Sequence, residues 1–116
     1  MLSIYQGNDK VFKFFRTNAN GDIITTTPQN IWFSVKTKYE DLSILFQKSI
    51  GFGITQNEDG SWNIKIDPSD TAELKPGKYV CDVKIQDEAG NLFTIVKPQE
   101  FLIREVVTRV GNQGGF

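Results

Sequence analysis

Alternation of apolar and polar residues with a period of two runs through most of this 116-residue sequence. Its longest run sets Tyr79, Cys81, Val83 and Ile85 against Val80, Asp82, Lys84 and Gln86. Residues 31–35 and 62–66 repeat the pattern, whereas apolar residues at helical spacing are nearly absent. Because successive side chains of a β-strand point to opposite faces, each run predicts a half-buried antiparallel strand with one face on a core.

Residues that favour tight turns separate these runs at short intervals. Glycine stands among Asn or Asp at residues 18–21, 57–60 and 87–91, as the positive φ angles of hairpin loops require. The Gly-Phe-Gly sequence at residues 51–53 predicts a bend or a bulge. Residues 68–74 predict one short helical turn, because a proline opens that stretch and a Pro-Gly pair follows it.

Strand and turn signals together predict the fold. The expected strands cover residues 2–6, 10–17, 30–38, 43–48, 62–67, 77–87, 92–97 and 99–106. Seven or eight short strands in a chain of this length are typical of an antiparallel β-sandwich. We therefore expect an all-β sandwich domain over residues 1–110, followed by a flexible tail at 111–116, where no pattern remains.

Charge and hydropathy exclude several classes of partner. The formal net charge is −1, from 13 basic and 14 acidic residues that are interspersed along the chain. Nucleic-acid binding normally needs a basic face, and the sequence has no Lys/Arg cluster. No apolar stretch has the length of a transmembrane helix, and residues 1–6 lack the features of a signal peptide. We expect a soluble protein that is not exported by the usual route and binds neither nucleic acid nor membrane.

Residues that perform catalysis or hold cofactors are scarce. Histidine is absent, which removes the commonest general base and the imidazole metal ligands. The single cysteine, Cys81, excludes an intramolecular disulfide, and its position in the alternation predicts a buried apolar role rather than a reactive thiol. No glycine-rich phosphate loop is present. The sequence therefore predicts a protein that is not an enzyme and has no catalytic residues, metal or cofactor.

Acidic residues beside turns leave one catalytic alternative open. Glycoside hydrolysis needs only two carboxylates, so a small hydrolase is a less favoured hypothesis. The candidates are Asp67, Asp70, Glu73, Asp87 and Glu88. Carboxylates in turns usually cap backbone amides or stay solvated. Asp59 and Asp87 lie near glycines, but the ligand spacing of a known calcium loop is missing.

One segment is apolar on both faces, which a half-buried strand does not explain. It consists of Val11, Phe12, Lys13, Phe14 and Phe15. Two interpretations are open. The strand bulges or switches sheets at the edge of the sandwich, or its second face meets a neighbouring subunit. The second interpretation makes the apolar members of this segment candidate partner-contact residues.

Two further aromatic residues are candidate contacts. Trp32 takes the face of its strand opposite to the apolar set, and Tyr39 follows in the next loop. Trp32 is either covered by a loop or a lysine stem, or it is a contact residue, since Trp is enriched at binding hot spots. If Trp32, Tyr39 and Trp62 shared one surface, they would suit a carbohydrate-binding or adhesion module. The alternation argues against this alternative, because it turns Trp62 inward.

A family resemblance enters at residues 70–83, which follow the pattern D-T-x-x-L-x-x-G-x-Y-x-x-D-V. This segment resembles small immunoglobulin-like structural domains of phages, and the chain is similar over residues 2–108 to the N-terminal domain of upper baseplate proteins. Asn8 departs from the family by separating its Gly-Asp pair. The resemblance implies an immunoglobulin-like fold and a non-enzymatic virion protein of the tail, baseplate or head. It implies synthesis in the bacterial cytoplasm and assembly with other virion proteins or with itself as a homo-oligomer.

Overall fold

The structure is a computed structural model that describes residues 2–107, with the backbone alone for Val96 and Lys97. Over these residues the chain forms ten strands and one short helix. They are β1 (Leu2–Tyr5), β2 (Lys10–Phe14), β3 (Arg16–Thr17), β4 (Ile23–Ile24), β5 (Asn30–Lys36), β6 (Phe46–Ile50), β7 (Gly53–Gln56), β8 (Trp62–Ile66), α1 (Pro68–Thr71), β9 (Gly77–Gln86) and β10 (Leu92–Arg104). The predicted tail at 111–116 lies outside the described residues.

Eight of the strands form one sheet that is nearly closed into a barrel. The strand order is β1-β10-β9-β5-β6-β7-β8-β2, and β3 pairs with β4 in a separate hairpin. The prediction of an all-β fold is confirmed. The prediction of a purely antiparallel arrangement is wrong for two pairs, since β1 runs parallel to β10 and β6 runs parallel to β7.

The sheet folds over at the predicted bend, where β6 passes into β7. Gly51 and Gly53 have φ angles of 85° and 100°, a region that glycine adopts without strain. A Cβ atom on Gly53 would lie 2.6 Å from Cδ of Lys48, so a larger residue does not fit there. The bend carries the chain from one layer, with β1, β10, β9, β5 and β6, to a second layer, with β7, β8 and β2.

Several strand bounds differ from the predictions. The expected strands at 92–97 and 99–106 form one strand, β10, with irregular register on either side of Val96. The expected strand at 10–17 divides at Phe15 into β2 and β3. Strands β4 and β7 were missed, because two and four residues are too few to show a period of two.

Apolar residues from both layers meet in one core. The buried ones are Ile4, Ile31, Phe33, Val35, Ile54, Trp62, Ile64, Ile66, Cys81, Val83, Ile85, Phe101 and Ile103. The ring of Phe12, from β2, lies 6.5 Å from the ring of Phe33 and 6.3 Å from that of Phe101, centroid to centroid. These contacts join the two layers, and aromatic pairs at this spacing stabilise beyond their buried area.

A buried lysine ties α1 to the sheet. The Nζ atom of Lys48, on β6, lies 2.7 Å from Oδ2 of Asp70 and 3.3 Å from Oδ2 of Asp67. The Asp70 carboxylate also accepts a hydrogen bond of 2.7 Å from the backbone N–H of Asp67. Because Lys48 is almost fully buried, its charge depends on these two carboxylates for compensation.

The same helical turn is bound to the connection between β1 and β2. The side chain of Gln6 donates a hydrogen bond of 2.6 Å to the carbonyl of Leu74. The backbone N–H of Gly7 donates to Oγ1 of Thr71 at 2.9 Å, and Thr71 is fully buried. These bonds hold the start of β2 in place, and so they decide where that strand lies over the core.

We expect Lys48→Met to lower the free energy of unfolding by about 2 kcal/mol, since Asp70 then loses its cation in a largely buried position. The matched control is Lys65→Met, which breaks the ion pair of Lys65 with Asp9, in which both partners are exposed. That variant should cost less than about 1 kcal/mol. Denaturant unfolding followed by circular dichroism measures both. Equal losses would show that the Lys48 ion pairs do not anchor α1.

Candidate functional site

The outermost strand β2 is protected against further pairing. It pairs with β8 on one side, and the described residues place no strand on its other side. Lys10 and Lys13 are both exposed on this strand. Lysine on an edge strand opposes association with another strand, because pairing would desolvate its charge. The edge of β2 is therefore a poor place for strand addition.

Besides the end strands β1 and β2, part of strand β10 is unpaired and less protected than β2. β1 pairs only with Phe101–Arg104, so in the described part of the chain residues 92–100 have no partner on that side. Register shifts at Thr94/Val96 and Val96/Gln99, together with Pro98, disrupt the second half of this stretch. Bulges and proline are recognised means of blocking an edge. Residues 92–94 remain as a short unprotected edge, and Ile95 lies in the first bulge.

The inner face of β10 is uncovered beside this edge. Phe93 lies directly opposite Ile85 of β9. Opposite residues of an antiparallel pair project to the same face, and Ile85 is buried, so Phe93 points to the core side of the sheet. Its side chain is nevertheless 51% exposed, and that of Ile95 is 40% exposed. The core is thus open to solvent at this corner of the molecule.

The opening is a groove of about 510 Å³ between the β9–β10 hairpin and the segment that leaves β2. Its lining consists of Phe14, Phe15, Arg16, Thr17, Ile24, Ile85, Asp87, Glu88, Phe93 and Ile95. Phe15 is 45% exposed, and the Lys13 ammonium lies 5.7 Å from its ring centroid. We call this cleft the β10 groove. Six of its ten lining residues are apolar, and two of the other four, Arg16 and Glu88, form an ion pair.

That ion pair joins Arg16 and Glu88. The Arg16 side chain is only 9% exposed, and its Nη1 atom donates to the carbonyl of Thr26 at 2.9 Å. Nη1 and Nη2 also donate to Oε1 of Glu88, each at 3.4 Å. Arg–carboxylate hydrogen bonds of good geometry are shorter, near 2.7–2.9 Å, and use both oxygens. The buried guanidinium therefore has a loosely bound counter-ion.

The predicted contact residues do not form one surface. Phe12 and Phe14 are half-buried and pack against the core, while Val11 is half-exposed on the outer side of β2. Of this segment, the β10 groove includes Phe14 and Phe15. The first interpretation agrees with the change from β2 to β3 at Phe15, whereas contact of the second face with a neighbouring subunit stays a prediction.

Trp32 and Tyr39 lie in the other layer. Trp32 is half-buried on the outer face of β5, opposite Lys84. Tyr39 is exposed in the following loop and lines a shallow hollow of about 150 Å³ with Ser34, Lys36 and Asp82. Trp62 is buried, as its alternation predicts. The three aromatic residues therefore do not share one surface.

The residues that sequence reasoning missed are Arg16, Phe93 and Ile95. Residues 92–96 read Leu-Phe-Thr-Ile-Val, which is apolar on both faces in the same way as residues 11–15. In each of these two segments, both the inward and the outward side chains of the strand are apolar. Residues 92–96 therefore carried the same signal as residues 11–15, although the prediction treated them as an ordinary strand at 92–97.

The candidate carboxylates have local structural contacts. Asp67 and Asp70 pair with Lys48, and Oδ1 of Asp87 accepts hydrogen bonds from the backbone N–H groups of Ala89 and Asn91. Hydrogen bonds from Ser61, first from its hydroxyl and then from its backbone, lower the pKa of Asp59. In residues 2–107 no three His, Cys, Asp or Glu side chains are grouped so that they could hold a metal ion. No helix in that range could cross a membrane.

Comparison with known proteins identifies a similar fold and no family. No family model and no curated protein matches the sequence. Among solved structures, CopC from Methylosinus trichosporium OB3b is similar, with a TM-score of 0.50 and 13% sequence identity. The alignment covers 94% of this chain and 88% of CopC. At this identity the similarity concerns the fold alone.

These comparisons correct the resemblance to phage upper baseplate domains, which is wrong: the structure that matches is CopC, and no phage family is found. The virion location and the tail, baseplate or head role were implied by that resemblance alone and have no support. The pattern at residues 70–83 has a local physical reason. Its Asp70 pairs with Lys48, its Thr71 accepts from Gly7, and the hydroxyl of its Tyr79 donates to the carbonyl of Lys75.

Burial of Cys81 yields a prediction that does not depend on the groove. Burial, followed by the nearby charge of Asp82, raises the pKa of the Cys81 thiol from 9.0 to about 11. The folded state favours the neutral thiol. This preference contributes fully to the free energy of unfolding below the pKa that Cys81 has in the unfolded state. The contribution is lost as the pH rises through the pKa that Cys81 has in the folded state. We expect the wild type to lose more stability than Cys81→Ala between pH 9 and pH 11. Denaturant unfolding of both proteins across this range measures the difference, and parallel curves would contradict it.

Proposed function

We propose that this protein is a non-enzymatic β-sandwich module that acts through protein–protein assembly, by binding an extended segment of a partner at residues 92–94 of β10. The observation that carries the proposal is the half-exposed Phe93, an inner-face residue that lies beside an unpaired strand edge. An added strand would hydrogen-bond to the backbone of β10, and its inward side chains would cover Phe93 and Ile95. Main-chain bonds supply affinity in this mode, and the pockets for alternate side chains supply specificity.

The size of the β10 groove suggests a contact of modest strength. Burying the exposed parts of Phe15, Phe93 and Ile95 is worth on the order of 1 kcal/mol each. Three edge residues add few backbone hydrogen bonds, each with a net value of about 1 kcal/mol. Association also costs translational and rotational entropy. Useful affinity would therefore come from several copies engaged at once, in an assembly where each weak contact benefits from a high effective concentration.

The chemistry of the chain supports a binding role over catalysis. The sequence has no histidine, and the thiol of Cys81 is buried with a raised pKa. In the β10 groove, the Asp87 carboxylate caps its own turn, and Glu88 pairs with Arg16. These two carboxylates are therefore engaged in structural contacts, which does not favour the hydrolase alternative.

Carbohydrate binding is a second candidate, favoured by one observation. The exposed ring of Tyr39 lies beside Ser34, Lys36 and Asp82, whose polar groups suit sugar hydroxyls. The buried Trp62 and the half-buried Trp32 do not extend this surface into an aromatic platform. A glycan array probed with the wild type and with Tyr39→Ala tests this candidate. Binding that disappears in the variant would favour it over strand addition.

The assembly proposal predicts selective binding of extended peptides. A displayed library of random nine-residue peptides should yield binders to the wild type that alternate apolar and polar residues. We expect Phe93→Lys to lower their affinity at least tenfold, because a charge placed in the β10 groove opposes burial of apolar side chains. Phe52→Lys is the matched control, since Phe52 is an exposed aromatic residue at the bend between β6 and β7. It should leave binding unchanged.

Light scattering over a concentration series tests self-association in the same preparation, because a second copy is one potential partner. A protein that stays monomeric at high concentration and selects no alternating peptide would refute the proposal. Equal effects of Phe93→Lys and Phe52→Lys would also refute it, because binding would then not depend on the β10 groove.

A further inference from the structure

The β10 groove contains a buried cation whose present counter-ion is loosely held. We infer that the groove selects an extended segment with an acidic side chain two residues from an apolar one, and that Arg16 binds this carboxylate. The inference rests on the proposed function, since it specifies the chemistry of the strand that would add to β10.

The hydrogen-bonding capacity of Arg16 is the first argument. A guanidinium has five N–H donors in a planar fork, which suits two carboxylate oxygens. The described contacts of Arg16 are one bond to the carbonyl of Thr26 and two long bonds to a single oxygen of Glu88. The buried fork therefore lacks the bidentate pair that its geometry favours. A carboxylate that reaches it from within the groove would find a largely desolvated cation, with which ion pairing is stronger than at the surface.

The position of Glu88 is the second argument. Its side chain is 52% exposed, while that of Arg16 is 9% exposed. The shape of the loop at 87–91 depends on Asp87, which accepts from the N–H groups of Ala89 and Asn91. The Glu88 side chain can therefore move into solvent without loss of the turn. Replacement of Glu88 by a partner carboxylate keeps Arg16 paired throughout, so no uncompensated charge is buried.

The geometry of a strand determines the spacing of the selected residues. Arg16, Phe93 and Ile95 line the same groove, so the carboxylate and the apolar side chains of an added strand must lie on one face. Residues on one face of a strand are separated by two positions. The preferred segment therefore has an apolar residue at position i and Asp or Glu at i+2 or i−2. A C-terminal carboxylate would continue along the backbone and would not project from the face of the strand toward Arg16. The selected carboxylate therefore belongs to a side chain.

The test uses four synthetic heptapeptides, each acetylated. The first is amidated and has the sequence Thr-Val-Thr-Phe-Thr-Glu-Thr, with Val, Phe and Glu on one face. The second has Gln in place of Glu. The third exchanges Glu with the preceding Thr, which moves the carboxylate to the opposite face. The fourth is the Gln peptide with a free terminal carboxylate. Binding to the wild type, Arg16→Gln and Glu88→Gln is followed by isothermal titration calorimetry.

We expect the Glu peptide to bind the wild type about tenfold more tightly than the Gln peptide, since one charge-assisted pair with Arg16 is worth about that factor. Glu88→Gln should widen the difference, because it removes the competing carboxylate. Arg16→Gln should abolish the difference while the Gln peptide still binds. Glu88→Gln retains the bond from Arg16 to Thr26, so it tests the inference even if Arg16→Gln loosens the β3–β4 hairpin.

Other outcomes separate this inference from the proposed function. If the Glu and Gln peptides bind equally well to both the wild type and Glu88→Gln, acid selection is refuted while strand addition stands. Preference for the opposite-face peptide or for the free terminal carboxylate refutes the assigned geometry in the same way. If none of the four peptides binds, the inference fails together with the proposed docking at β10.

Discussion

The contact of Phe12 with Phe33 and Phe101 holds the two layers of the sandwich together at one end of the core. β2 brings Phe12 to this position, and the hydrogen bonds of Gln6 and Gly7 to the α1 region determine where β2 begins. β2 is only five residues long, and β3 pairs with β4 rather than continuing along β8. In the described residues no strand of the sheet continues β2 beyond Phe14, and the inner face at Phe93 is open there. The opening at Phe93 follows directly from the length of β2.

The free edge of β2 and the unpaired stretch of β10 differ in how they are protected. Lysines occupy β2, and bulges with a proline occupy the second half of the unpaired stretch of β10. Residues 92–94 lack both kinds of protection and lie beside an apolar groove. Exposed apolar surface at an unpaired edge costs solubility, so its retention beside a buried arginine suits a site that a partner covers. Charge in the β10 groove would then select the partner, while backbone pairing would hold it.

A short pattern can indicate local structure without indicating a family. Residues 70–83 combine a helical turn, a glycine and a core strand, and each distinctive side chain has a partner within this fold. The similarity to CopC, at 13% identity, shows that such an architecture forms from very different sequences.

The sequence by itself determined the all-β class, the hairpin turns, the bend at 51–53 and the inward positions of Trp62 and Cys81. These features depend on neighbouring residues, since strand alternation and turn geometry are local properties. Only the tertiary structure decided that Phe12 is part of the core while Phe15 and Phe93 border an opening, because the difference depends on which strand covers each face. The pairing of Arg16 with Glu88, 72 residues apart, was equally hidden from the sequence. Contacts between distant segments follow from how the sheet folds over, and no local pattern encodes them.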